Sequence, residues 1–240
     1  MIQFALIQST KLISTITANT LLAVIVLSFQ CSPRSDAALS QDVLSEITMR
    51  AVAIAQVDST SASGSGILIA PNLVVTCNHV VISLASDILV KRDRLSGEMR
   101  IGRAIFLEPG IDLALLEVDP PFPNVPALKP SFDLTVGQKV VTVASPFSLE
   151  GSLLYGSISA LETKGKDTAF PMFSFIQVQN IAYAGVSGAG VFDLSGRIIG
   201  VSRSAQGFSA GTGIGFVIPW SLVQQFLELP GNPKNKEITN

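Results

Sequence analysis

One histidine, His79, and two cysteines, Cys31 and Cys77, are all that this chain of 240 residues carries of those types. So few ligands leave no basis for a zinc site built from His and Cys. Two cysteines, one of them near the start of the chain, do not make a disulfide-stapled scaffold either. Charge is also scarce, at 14% of residues, with 16 basic groups against 18 acidic ones. Such a balance offers no surface for nucleic acid. Lys91, Arg92 and Arg94 form the single basic knot, which Asp93 interrupts, and it reads as a solvated hairpin tip. Apolar residues, by contrast, make up 48% of the chain, enough for a sizeable core.

Lys11 is the only charge before Arg34, and Leu21 to Leu27 form a compact apolar run. Pro33, Ser35 and Ala37 follow, so residues 1–37 read as a secretory signal cleaved after Ala37 or as an uncleaved membrane anchor through residues 12–29. Either reading predicts an extracytoplasmic protein, periplasmic or secreted, that is membrane-anchored in the second case.

From Arg50 the pattern is all-β. Apolar, β-branched runs recur at Ala51–Val57, Gly66–Ile69, Leu73–Thr76, Ile88–Val90, Ile101–Leu107 and Leu113–Val118. A second set follows at Val140–Ala144, Leu153–Leu161, Phe175–Val178, Gly190–Phe192, Ile198–Ser202 and Ile214–Ile218. Between the sets, residues 119–137 hold Pro120, Pro121, Pro123, Pro126 and Pro130, and proline cannot donate to a sheet ladder. The layout is two β units, about 50–118 and 138–218, joined by that linker. Ser221 and Gln224 suggest a capping box for a helix over 221–229, which Pro230 and Gly231 stop. Residues 231–240 read as a flexible tail.

The chemistry of acyl transfer requires a nucleophile, a base, a carboxylate to orient the base, and donors for an oxyanion. His79 ends a strongly apolar strand, Asp112 opens Asp-Leu-Ala-Leu-Leu-Glu-Val, and Ser187 sits in Gly-Val-Ser-Gly-Ala-Gly. Singly, each reads as a core histidine or a turn residue. Together they fall in the order His, Asp, Ser, two in the first unit and one in the second, so a site would lie in the cleft between them. Cys77, two residues before His79, reads as a small buried apolar residue.

These stretches resemble the HtrA (Deg) family of trypsin-like serine proteases over residues 50–229. Gly64-Ser-Gly66-Ile-Leu-Ile, Thr76-Cys-Asn-His79-Val-Val and the strand opened by Asp112 carry the likeness in the first unit. Val136-Gly137 through Ser145-Pro146-Phe147, Phe175-Ile-Gln177, Gly196-Arg-Ile-Ile-Gly-Val and Gly213-Ile-Gly-Phe-Val-Ile-Pro219 carry it in the second. The resemblance implies a chymotrypsin-like double β-barrel with a short C-terminal helix, the protease domain without a PDZ module. It implies a serine endopeptidase acting on unfolded or exposed polypeptides in protein quality control, with no cofactor and no metal, and a homotrimer. Ser187 would be the nucleophile, His79 the base and Asp112 the orienting carboxylate, with the N–H groups of Gly185 and Ser187 as oxyanion hole. The pocket before the scissile bond would be floored by Ile181 and Ala182 and walled by Gly200, Val201 and Ser202 and by the Gly211–Gly215 stretch. The nearest acid, Asp193, would lie in a solvent-facing turn. Two positions depart from the family's Gly-Asn-Ser-Gly-Gly: Val186 replaces an amide and Ala189 a glycine. Val186 leaves the shape of the oxyanion loop open, and with it the alternative of a catalytically silent, peptide-binding barrel.

Overall fold

A computed structural model describes residues 38–59, 61–84, 87–92, 97–161, 163–164, 170–203 and 214–233. The candidate signal or anchor over 1–37, Arg94 and most of the Gly211–Gly215 wall lie outside these residues. No helix among the described residues is long and apolar enough to cross a membrane.

Among the described residues, twelve strands form two closed antiparallel barrels. In the first are β1 (Ala51–Gln56), β2 (Ala62–Ala70), β3 (Leu73–Cys77), β4 (Ile88–Arg92), β5 (Glu98–Glu108) and β6 (Leu113–Asp119). In the second are β7 (Lys139–Ala144), β8 (Ser152–Ala160), β9 (Ile176–Gln179), β10 (Gly190–Asp193), β11 (Ile198–Arg203) and β12 (Ile214–Pro219). Their orders are β1-β2-β3-β6-β5-β4 and β7-β8-β9-β12-β11-β10, the same circuit twice. This is the expected double barrel, and every anticipated apolar run is a strand. Closure explains how so many β-branched strands coexist without exposed edges. Val140, Ile158, Val178, Ile181, Val191, Ile199 and Val217 fill the second barrel.

The linker is not a strand, but it is pinned. Ser131 N–H donates to Ile198 O at 2.8 Å, and Ile198 N–H to Lys129 O at 2.9 Å. Phe122 is fully buried under the guanidinium groups of Arg92 and Arg100, 5.2 and 4.8 Å from its ring centroid. Arg92 is therefore no solvated tip: it is buried, with Nε donating to Glu98 at 2.9 Å.

Among the described residues, three α-helices accompany the barrels. Helix α1 (Gln41–Thr48) was not foreseen; Ser40 caps it by accepting from Val43 N–H, and Ile47 enters the core. Helix α2 (Asn78–Ile82) carries His79. Helix α3 runs Trp220–Glu228, starting one residue before the expected point, and Pro219 stands at its N-cap without a side-chain bond. The Ser221–Gln224 capping box is thus not made. Burial of Trp220, Val223, Phe226 and Leu227 holds the helix instead, with the Phe226 ring 5.4 Å from Phe106 of β5.

Candidate active site

Helix α2 begins immediately after β3, so its first N–H groups have no partner within the helix. Asp112 supplies acceptors for two of them. Its carbonyl accepts from Asn78 N–H at 3.0 Å, and its Oδ1 accepts from His79 N–H at 2.9 Å. Asp112 reaches this position from the turn before β6 with φ at 59°, a conformation that aspartate tolerates better than most residues. Its Oδ2 then lies 2.7 Å from His79 Nδ1. The same carboxylate thus fixes both the backbone and the ring of His79. With Nδ1 as donor to a carboxylate, Nε2 is left to accept a proton. Burial alone would raise the Asp112 carboxyl, but the bonds from His79 and Arg203 outweigh it and hold the group below the ordinary carboxylate range.

The segment carrying Ser187 docks against the two strands that lead to His79. Ser187 O accepts from Ser65 N–H of β2 at 2.8 Å, and Gly188 N–H donates to Ser202 O at 2.8 Å. A Cβ at Gly188 would overlap Ser65 O and Thr76 Oγ1, and its φ is +91°, so only glycine permits this approach. Ser187 itself is 5% exposed and His79 about a third exposed, at 35% for its side chain.

The loop before Ser187 is fixed from both barrels. Ser65 Oγ donates to Gly185 O at 2.7 Å and accepts from Ser145 N–H at 3.0 Å. Ala184 O accepts from Phe147 N–H at 2.8 Å. Because a trans peptide points its C=O and N–H in opposite directions, Gly185 N–H faces away from Phe147, and no described residue accepts from it. Val186 is buried against Ala144 and Ala189, with Leu154 and Tyr183 beside them. The two departures from the family's motif therefore form one apolar contact, which packs the loop where the family's asparagine would offer an amide and adds to the hold of Ser65.

Residues 64–201 match the family described as trypsin-like peptidase domain. The chain belongs to the trypsin-like peptidases. Among relatives of this trypsin-like peptidase is the probable periplasmic serine endoprotease DegP-like of Brucella suis. It is 36% identical over 173 residues, which are 70% of this chain and 32% of that protein. The chain thus spans about a third of the length of that curated relative. In fold it is similar to the HtrA-type protease AlgW with tripeptide, at a TM-score of 0.68 and 23% identity, covering 78% of this chain and 62% of that one. The serine endoprotease from Yersinia pestis is similar at a TM-score of 0.62 and 23% identity, covering 78% and 64%.

Other expectations fare differently in this trypsin-like peptidase. Ile181 has no exposed surface and packs inside the second barrel, and a Cβ at Gly156 would meet it at 2.9 Å. Ala182 is half-buried against Gly215, and Val201 is interior. Gly200 lies so close to Ile218 O that a Cβ there would overlap it, and Ser202 is buried. Asp193 is buried, not a solvent turn. It accepts from Ser195 N–H and Oγ at 2.9 and 2.6 Å, and from Arg197 N–H and Nε at 3.0 and 2.9 Å. Ligand atoms of Cys77, His79 and Asp112 lie within 4.8 Å of one another. Burial pushes the Cys77 thiol well above its ordinary value, and it donates to Ser202 O, while the Asp112 carboxylate is taken up by His79 and Arg203. That donor set suits a hydrogen-bonded dyad more than a metal. Two further residues at the site, Ser65 and Arg203, lie outside the motifs' expected roles. Ser65 had a signal, a lone hydroxyl between two motif glycines; Arg203 had none, since burial decides its role.

Proposed function

We propose that this chain is a serine endopeptidase that hydrolyses unfolded or exposed polypeptides through Ser187, His79 and Asp112. Ser187 Oγ attacks the scissile carbonyl carbon while His79 Nε2 takes its proton. The tetrahedral oxyanion is received by the N–H groups of Gly185 and Ser187. As the C–N bond breaks, the imidazolium returns its proton to the leaving amine, and water then repeats the sequence on the acyl-enzyme. The observation that carries this reading is the double hold of Asp112 on His79, at 2.7 Å to the ring and 2.9 Å to the backbone. The packing of Val186 supports an ordered oxyanion loop and weighs against a silent, peptide-binding barrel.

A fluorophosphonate probe tests the assignment, because labelling requires an activated serine and a formed oxyanion hole. Labelling of the native chain, lost in Ser187→Ala, is expected; equal labelling of both would refute it.

Two finer readings accompany this one. The first is a preference for uncharged residues before the cut: Ala182 and Gly215 are neutral, and Asp193 is engaged by Ser195 and Arg197. A basic side chain there would lose hydration without gaining a partner. Mapping cuts in a denatured protein digest tests it, and a site list dominated by Arg and Lys would refute it. The second is an extracytoplasmic role in protein quality control. The periplasmic relative and the apolar run within residues 1–37 support it, and intact mass with fractionation of the native protein is the check.

A further inference from the structure

Arg203 closes β11 and is 3% exposed. Its Nε donates to Asp112 Oδ2 at 2.9 Å, the same oxygen that faces His79 Nδ1. The guanidinium lies 4.2 Å from the Phe170 ring centroid and 5.6 Å from that of Phe175, so its plane is held on aromatic faces while its edge meets the carboxylate. Of the bonds to the Asp112 carboxylate, those from His79 come from the first barrel. The bond from Arg203 comes from the second.

That difference matters because the strand that delivers Arg203 also holds the serine loop. Ser202, the preceding residue, accepts from Gly188 N–H at 2.8 Å and from Cys77 Sγ at 3.4 Å. It also donates its own N–H to Ala189 O at 2.7 Å. One end of β11 therefore bonds to the residues after Ser187, to the residue two before His79, and to the carboxylate that orients His79. We propose that Arg203 is a positioning residue, which fixes the His79–Asp112 pair relative to Ser187 by tying Asp112 to β11. The proposal rests on the triad assigned above.

The alanine variant Arg203→Ala should lower kcat about tenfold to a hundredfold with KM little changed, the scale of a misplaced catalytic group. Ethylguanidinium should restore part of that loss, and a tetramethylammonium salt of equal ionic strength should not. Arg203→Lys keeps charge and stem but has no planar donor to stack and bond at once. It should retain an intermediate kcat without responding to ethylguanidinium, and it covers the case in which the alanine variant fails to fold. A readout independent of turnover exists because His79 is the only histidine. The Nδ1 proton gives the single imidazole resonance of its kind, and it should broaden and move in Arg203→Ala while the amide spectrum remains folded. If that resonance responds in a chain that neither labels nor hydrolyses, the positioning role stands and the peptidase reading falls. If the wild type hydrolyses and folded Arg203→Ala keeps both the resonance and kcat, the positioning role is overturned and the peptidase reading stands.

Discussion

The hydroxyl of Ser65, on the second strand of the first barrel, donates to the carbonyl of Gly185 at 2.7 Å, across 120 residues of sequence. The same oxygen accepts from Ser145 N–H, so one buried hydroxyl joins β2, the end of β7 and the loop ahead of Ser187. Ser65→Ala leaves a buried N–H and a carbonyl unpaired, a loss of about 1–3 kcal/mol. It should lower the urea midpoint and slow fluorophosphonate labelling by about tenfold or more. Unchanged labelling in the folded variant would show that the loop holds its shape without this bond.

Gly188→Ala should be more damaging. The added methyl would overlap Ser65 O and Thr76 Oγ1 in a backbone conformation with φ at +91°. Overlap with backbone cannot be relieved by a rotamer change, so a loss of several kcal/mol, of order 3–5, is expected, near the upper end of single-residue effects. Differential scanning calorimetry measures it; a melting temperature within a degree of wild type would contradict the close approach.

Replacing Val186 with asparagine restores the family's usual residue but places an amide in a pocket made by Ala144 and Ala189. An unpaired amide there costs about 1–3 kcal/mol. Val186→Asn is therefore expected to lower stability and not to raise turnover. Faster hydrolysis with an unaltered melt would mean that packing is not what holds the loop.

Acid should weaken the fold partly through Asp193. Burial alone would raise this carboxyl, but bonds from Ser195 and Arg197 bring it below the ordinary carboxylate range. A lowered folded value means that the unfolded chain binds the proton first. The stabilisation is therefore complete well above the unfolded Asp value of about 3.9 and is lost as pH falls through the lower folded value. Asp193→Asn should flatten the stability curve below about pH 5, read from denaturant midpoints at stepped pH. A curve parallel to wild type would assign the acid sensitivity elsewhere.

The Cys77 thiol is fully buried and pushed upward by that burial. In Cys31→Ser, native protein should react with a disulfide reagent only as fast as it unfolds, with full reaction in denaturant. Rapid labelling of the native state would show that the β3 end opens.

By itself, the sequence determined the strands and their grouping. Apolar, β-branched runs bounded by turn residues are local signals, and one proline-rich stretch, 119–137, separates the two sets. The candidate base was legible by elimination, because His79 is the only histidine, and Asp112 and Ser187 were legible from the motifs around them. Tertiary structure alone decided what depends on contacts across the two barrels. Val186 lacks a hydrogen-bonding side chain, yet it meets Ala189 and Ala144 in a contact that no local pattern reveals. Helix α1 is only two turns long, and its hold on the core, through Ile47 with Val43 and Leu44 beside it, is made by tertiary packing that so short a run does not announce. Asp193 read as a surface turn: its donors Ser195 and Arg197 are local, two and four residues on, but its burial comes from the place of β10 between β11 and β7. Arg203 ends an apolar strand and gave no sign of its role. A buried guanidinium needs compensating partners, and here the Asp112 carboxylate and the Phe170 and Phe175 rings surround it. Asp112 lies 91 residues away in sequence, and closure of the two barrels brings it there.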